Sequence, residues 1–526
     1  MKKRGNKKRK RHSDSITRTK PPNSKPKTKK KENKKDNSIV DSYDFKSNNI
    51  PISIKILSIA EEFVPIYTVS ISRLTSSTEY VLEKIRLELI KKVNLGMVEI
   101  TDTKKTGIIE DRFKSTINNL VVKYFPNSDE DTINFLTSYL VQKSLGMGKV
   151  EILMGDKNLE EIAINSCDEP VWVYHRTHGW LKTNINIKSE EETRHYSTMI
   201  GRKIGRQITI LNPLMDANLD SGDRVNATIM PISSKGNTIT IRKFAAKPWT
   251  ITDLIRTGTI SVSAAALIWL SIQYELSILI AGGTASGKTS MLNSISNLFP
   301  PNQRIISIED TREVKLPKFL HWLPMVTRLK NPEGKGEVSM LDLLVNSLRQ
   351  RPDRIIVGEI RRKKEAEVLF EAIHTGHSVY ATVHANSAKE TVTRLTNPPI
   401  DVPKTMLPAI SLIIVQYRNR RTGTRRTFQV AEILEEGKEN VLMQLDTKKD
   451  SLKRMNKSKS LLSTLELYTG LSSAQINKSL NEKELILKWL VKQNINHVDD
   501  VGRVMAEYYT RKEHLMQCVK KNTPLR

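Results

Sequence analysis

The sequence predicts an α/β protein in which a parallel sheet covered by helices is preceded by an α+β domain and followed by a helical extension. Three observations predict it. Between residues 276 and 383, short apolar strands alternate with helices striped on one face, the pattern of a sheet buried on both sides. Upstream, β-branched and aromatic runs flank turn residues, as in hairpins. Downstream, from 461 to 519, apolar residues such as Val498, Val501, Met505 and Tyr508 recur at helical spacing.

Taken in order, the chain opens on a basic tail. Residues 1–36 hold 17 Lys/Arg and 3 Asp/Glu, so about half of the formal charge of +28 sits where almost no apolar side chain can bury surface. Such a tail is expected to be disordered. It is either a polyelectrolyte hook for anionic lipid, nucleic acid or an acidic partner, or a solvated extension. Residues 44–133 are weakly patterned apart from a helix expected near 79–93. An α+β domain is expected over 134–246, with one hairpin from Val171-Trp172-Val173-Tyr174 to Trp180-Leu181 and another from Arg224 to Ile241. Lys247-Pro248-Trp249 opens a linker, 247–261, because proline pushes its predecessor out of the helical region. The parallel α/β domain is expected over 262–447 and the helical extension over 448–526, with no internal repeat.

Composition narrows the class. A length of 526 residues predicts two to four domains, and 38% hydrophobic residues exclude a chain that is collagenous or disordered throughout. Two cysteines, Cys167 and Cys518, exclude a disulfide scaffold and a four-cysteine zinc module. No apolar run follows the basic N-terminus, so no signal peptide is expected. The longest hydrophobic stretches, near 262–281 and 406–415, are interrupted by polar residues or too short to span a bilayer. The expected setting is soluble and reducing.

The chemistry concentrates at 282–289, Gly282-Gly283-Thr284-Ala285-Ser286-Gly287-Lys288-Thr289, which fits G-x-x-x-x-G-K-[ST] at every fixed position. A strand precedes it and a helix follows, the context a phosphate-binding P-loop requires. Glycines let backbone N–H groups turn inward around a phosphate, and the helix presents the positive end of its dipole. Lys288 would reach the β- and γ-phosphates of ATP, and the Thr289 hydroxyl would ligate Mg²⁺, with Ser290 in the same turn.

Arg354-Ile355-Ile356-Val357-Gly358-Glu359 supplies the second half of such a site, a buried strand that ends in a carboxylate able to hold the metal's water shell. The usual Asp at the strand end is replaced by Val357-Gly358-Glu359. Hydrolysis needs a group to orient or deprotonate water. Glu309, in Ile308-Glu309-Asp310-Thr311-Arg312-Glu313, is the first choice, with Asp310 and Glu313 read as caps of the following turn. His374, His377 and His384 do not fit a zinc spacing. His377 and His384 are expected at the two ends of one strand, touching phosphate or a neighbouring subunit, with His374 structural.

Four matches thus stand in order: the P-loop, Ile-Glu-Asp at 308–310, Val-Gly-Glu-Ile-Arg at 357–361, and Thr-Gly-His followed by Val-His-Ala-Asn within 375–386. The ensemble resembles the secretion ATPase superfamily, the motors of type II and type IV secretion, type IV pili and archaella, most like its archaeal branch. The likeness covers roughly 134–515. It implies a RecA-like P-loop ATPase domain, an aspartate box containing the catalytic Glu309, a Walker B Glu359 and a histidine box over 375–386. It further implies a homohexamer that hydrolyses ATP with Mg²⁺, with Arg224, Arg242 and Arg361 reaching the phosphates. The implied setting is the cytoplasm, at the inner face of the membrane, with an integral-membrane platform protein as partner and an anionic membrane surface as a docking site for the tail. The other reading is a DNA-transfer (conjugation-type) motor or a nucleic-acid-stimulated ATPase, prompted by the net charge. Against it, the tail offers no Phe, Tyr or Trp through residue 42 on which bases could stack, so nucleic acid is not an expected partner.

Overall fold

The computed structural model describes residues 38–48, 50–71, 74–92, 106–219, 221–243, 248–330 and 334–525. The basic tail lies outside these residues except for positions 38–43, which enter a strand rather than continuing the tail.

The first unit comprises β1 (Ser38–Ser47), β2 (Ile50–Ser58), β3 (Ile66–Ile71), α1 (Ser76–Lys92), α2 (Thr106–Tyr124), α3 (Glu130–Leu145), α4 (Lys149–Gly155), β4 (Leu159–Ile164), β5 (Pro170–His175), β6 (Gly179–Asn186), α5 (Glu190–Lys203), β7 (Leu214–Asn218), β8 (Arg224–Thr228) and β9 (Thr238–Arg242). Its nine strands form one sheet in the order β1-β2-β3-β6-β5-β4-β9-β8-β7. Both expected hairpins are present, as β5–β6 and β8–β9. The boundary expected at 133/134 falls inside this unit. β3 pairs in parallel with β6, and α1 to α3 bury Leu82, Ile85, Ile117 and Leu136 in the core that also holds Val173 and Ile241. Strand alternation drives this packing: Ile50, Ile52, Ile54 and Ile56 are all buried on one face of β2, each contributing about 1.5–3 kcal/mol by leaving water.

The second unit comprises α6 (Ile251–Arg256), α7 (Val262–Gln273), β10 (Ile278–Gly282), α8 (Lys288–Ser296), β11 (Ile305–Glu309), β12 (Trp322–Val326), α9 (Met340–Leu348), β13 (Arg354–Val357), α10 (Lys363–His374), β14 (Ser378–Val383), α11 (Ala388–Thr396), β15 (Leu412–Arg418), β16 (Arg425–Ile433), β17 (Glu439–Asp446), β18 (Ser451–Arg454), α12 (Leu461–Thr469), α13 (Ser473–Lys492), α14 (Val498–Thr510) and α15 (Lys512–Lys521). The sheet order is β12-β11-β13-β14-β10-β15-β16-β17-β18. The run from β12 to β15 is parallel, and β15 to β18 continue it as an antiparallel meander.

Period-two alternation places Ile278, Ile280, Ile356, Tyr380 and Ile414 against α7, α8 and the C-terminal helices. The intervening Leu279, Ile355, Val357, Val379 and Val415 pack against α9, α10 and α11. Residues 461–519 therefore close one face of the parallel sheet. The apolar run of α7, with every residue from Ala264 to Ile272 buried, is a core helix capped by the Ser261 hydroxyl. Among the described residues, no helix is long and apolar enough to cross a membrane.

Candidate active site

β10 delivers the chain to the P-loop at the carboxyl end of the parallel sheet. Close approach explains its glycines. A Cβ on Gly282 would meet the Ser286 hydroxyl and stand 2.8 Å from the Gln416 carbonyl, and one on Gly283 would stand 2.9 Å from Asn386 Oδ1. Gly287 adopts φ +96°, which favours glycine, and starts α8 with no side chain capping its first turn. The first-turn N–H groups are thus left for a ligand, and Thr289 and Ser290 lie half-buried beside them.

Lys288 returns over this loop. Its Nζ donates to the Gly283 carbonyl at 3.2 Å and lies 3.4 Å from His384 Nε2. Burial pushes its pKa down, with Glu359 and Glu313 acting in the opposite direction. A half-buried ammonium whose hydrogen-bond partners are neutral is matched to a polyphosphate. His384 is likewise shifted down, first by burial and then by Lys288.

A chain of charges extends from there. His384 Nε2 lies 3.5 Å from Glu359 Oε1. Glu359 Oε2 accepts from Arg361 Nη2 at 2.7 Å and Nε at 3.1 Å. Arg361 Nη1 donates to Asp310 Oδ2 at 2.5 Å. Arg361 thus joins two carboxylates. The sheet order explains the convergence: β14, carrying His384 at its end, neighbours β10 directly, and β13, leading to Glu359, is next.

Glu309 takes a different place. β11 lies three strand spacings from β10, about 14 Å at ~4.8 Å each. Its Oε1 accepts the backbone N–H groups of Glu313 at 2.9 Å and Val314 at 3.1 Å. Glu309, rather than Asp310 or Glu313, therefore holds the turn. Its Oε2 is buried without a hydrogen-bond partner among the described residues, and burial pushes the carboxyl up to about 7. Asp310 instead accepts from the Thr327 hydroxyl at 3.1 Å and from Arg361.

The first unit meets the site at the loop after β11. The Thr311 hydroxyl donates to Asn218 Oδ1 at 3.4 Å. Arg224 binds Asp216 through Nε at 3.0 Å and Nη2 at 2.5 Å, within electrostatic reach of Asp310 and Glu313. Arg242 stands beside Arg224 in the register of β8 and β9. His377 and His384 stand at the two ends of β14, as expected, but His377 is not at the phosphate-loop end. It precedes β14, at the amino end of the sheet, while the P-loop lies at the carboxyl end, about 20 Å along a strand of this length. Its Nδ1 lies 3.1 Å from both the Ala372 carbonyl and the Thr375 hydroxyl, closing α10.

Arg425 was not anticipated. From β16 its Nε donates to the Ala285 carbonyl at 3.0 Å, bracing the P-loop at a residue with φ +58°. The cluster of arginines at 418–426 was its only signal in the sequence.

Comparison with known proteins agrees with these features. Residues 190–468 match the family model described as "Type II/IV secretion system protein", more than half of the chain. The chain belongs to this family. Uncharacterized protein MJ0900 of Methanocaldococcus jannaschii is 40% identical over 302 residues, covering 56% of this chain and 54% of its own length. MJ1287 of the same organism is 38% identical over 264 residues, covering 49% of this chain and 97% of its own. Type IV secretion system protein PtlH of Bordetella pertussis is 29% identical over 303 residues, covering 51% of this chain and 88% of its own. The chain spans about half the length of the first curated relatives it matches. For this member of the type II/IV secretion family, the matched span includes the P-loop, β11, β13 and β14 together with Arg224 and Arg242.

Proposed function

We propose that this protein is a cytoplasmic hexameric ATPase motor that powers assembly of a type IV pilus-like filament or type II/IV secretion. The observation that carries the reading is the single cluster of Lys288, His384, Glu359 and Arg361 beside an uncapped helix start in a glycine-rich loop. The name of the matching family and that of PtlH supply the secretion context.

In this mechanism the N–H groups at 283–290 and Lys288 would bind the triphosphate, and Thr289 and Glu359 would hold Mg²⁺. The half-buried Thr289 hydroxyl and the Glu359 carboxylate are oxygen donors, the kind that Mg²⁺ takes alongside phosphate oxygens and water. Mg²⁺ would neutralise charge that develops on the phosphates during hydrolysis. Glu309, buried and near neutrality in pKa, accepts the proton of the attacking water. Arg224, Arg242 and Arg361 exchange their carboxylate or surface environment for phosphate oxygens as the two units close. Closure on binding and opening on release, passed around a ring, moves an integral-membrane platform protein. The basic tail docks the ring on the anionic inner membrane surface, each basic residue near it contributing on the order of 1 kcal/mol.

The test is the steady-state ATP hydrolysis rate of the purified chain, alone and with anionic liposomes or single-stranded DNA. Lys288→Ala should abolish turnover and leave the circular dichroism spectrum unchanged; hydrolysis at the wild-type rate by that variant would overturn the assignment. Liposomes should stimulate and DNA should not. DNA stimulation that survives deletion of residues 1–36 would replace the membrane motor with a nucleic-acid motor.

A further inference from the structure

The first unit contains a polar cavity that none of the active-site residues lines. Helices α1, α3 and α4 and the β6–α5 junction wall a space of about 160 Å³. Gln142 lines it from α3. This residue is 6% exposed, and neither its amide oxygen nor its amide nitrogen has a partner among the described residues. A primary amide carries two donors and two acceptor sites, and leaving all of them empty in a buried position is costly. The cavity therefore calls for an occupant with hydrogen-bonding groups.

The other polar groups divide into committed and uncommitted. The buried Tyr196 hydroxyl donates to Glu192 Oε1 at 2.6 Å, and Glu192 Oε2 accepts the Lys188 N–H at 2.8 Å. Gly148, at φ +56°, lets the backbone close over that hydroxyl, since a Cβ there would stand 3.3 Å from it. Arg86 and Lys143 are paired with Glu83 at 3.2 and 2.9 Å. Lys149 and Lys188 also line the cavity and are exposed; neither makes an ion pair among the described residues, and the Lys188 ammonium lies within electrostatic reach of Glu83. The lining carries four cations and two acids, Glu79 and Glu192, with Glu83 and Glu151 just behind it; Glu83 neutralises the inner cations Arg86 and Lys143, and the two unbridged ammoniums face solvent while the unpaired amide is buried. A cavity of about 150 Å³ takes a benzene-sized molecule, so this one encloses about six heavy atoms, any further group of the occupant standing at the solvent-facing lysines, and it excludes a nucleotide.

We propose that this cavity binds a small phosphomonoester bearing a hydroxyl or amide group, with its phosphate on Lys149 and Lys188 and its neutral end on the Gln142 amide. Two compact ammonium charges suit a dianion, and an amide that both donates and accepts suits a hydroxyl.

The experiment uses the full-length chain carrying Lys288→Ala, so that the P-loop does not report. Calorimetric titration compares glycerol 3-phosphate, inorganic phosphate and glycerol. Glycerol 3-phosphate should bind at one site, at least tenfold tighter than inorganic phosphate, and glycerol should not bind. Gln142→Leu and the pair Lys149→Ala with Lys188→Ala should each weaken binding at least tenfold. Without any probe, Gln142→Leu should melt above its parent, because it removes the unpaired amide while keeping the volume. An amide with a purely structural hydrogen-bonding role would instead lower the melting point when lost. No heat from glycerol 3-phosphate, equal affinity for inorganic phosphate, or binding unchanged in the lysine pair variant would each overturn the proposal. The lysine pair decides the matter should Gln142→Leu fail to fold.

Discussion

Replacing Glu309 by Gln tests the electrostatics of the site most directly. Glu309 is 3% exposed, its Oε1 holds two backbone N–H groups, and its Oε2 has no hydrogen-bond partner among the described residues. Burial raises its pKa from 4.5 to about 7, and the two N–H donors offset only part of that rise. With the folded pKa above the unfolded one, the folded state binds more protons between these values. The contribution of Glu309 to stability is therefore greatest below pH 4.5 and falls as the pH rises to about 7. At about 1.36 kcal/mol per pH unit, the full effect is ~3 kcal/mol as an upper bound. Glu309→Gln keeps an acceptor for both N–H groups and removes the titration. Thermal melting of the full chain from pH 5 to 8 should show the two proteins diverging as pH rises, with the variant gaining up to roughly 6–10 °C at pH 8 in a domain of this size. A gap that is constant across pH, or a wild type that gains on the variant as pH rises, would refute the burial argument. Hydrolysis should fall at least a hundredfold in the same variant if Glu309 acts as base.

Other residues give further tests. Arg425→Ala removes the brace on the Ala285 carbonyl; the ATP KM should rise roughly fivefold, for a bond of about 1 kcal/mol, with kcat nearly unchanged. Lys483 is fully buried, donates to the Tyr508 hydroxyl at 2.8 Å and the Ser479 hydroxyl at 3.0 Å, and has its pKa pushed down to about 7 by burial. A lysine with a depressed folded pKa costs stability most where it is charged, so Lys483→Met should raise the melting temperature more at pH 7 than at pH 10. An equal shift at both pH values would show that packing alone changed.

Several features are legible in the sequence itself. The strand, glycine-rich loop and helix around Lys288 are local in sequence, and so are the alternation of Ile278 to Ala281 and the stripe of Ala366, Leu369 and Phe370. Each depends on backbone geometry over a few residues, which is why β10, β11, β13 and β14 can be read directly, while the half-exposed edge strand β12 is missed. The hairpins at β5–β6 and β8–β9 are legible for the same reason, since turn chemistry and strand pattern lie side by side.

Contacts made across long sequence separations decided the rest. β3 joins β6 across more than a hundred residues, so composition drew a domain boundary where the sheet has none. Glu432 looked like an ordinary strand residue, yet it is fully buried and accepts the backbone N–H groups of Lys459 and Leu461 at 2.7 and 2.8 Å, anchoring the C-terminal helices. His377 and His384 are equivalent by spacing, and only strand direction in a parallel sheet assigned one of them to the phosphate end. Sequence by itself determined the glycine-rich loop between β10 and α8 and the elements beside it, because residue type and short spacing suffice there. Tertiary structure alone decided which carboxylate faces Arg361, which one is buried holding a turn, and which amide is left unpaired, because burial and charge pairing depend on neighbours that the chain brings together only on folding.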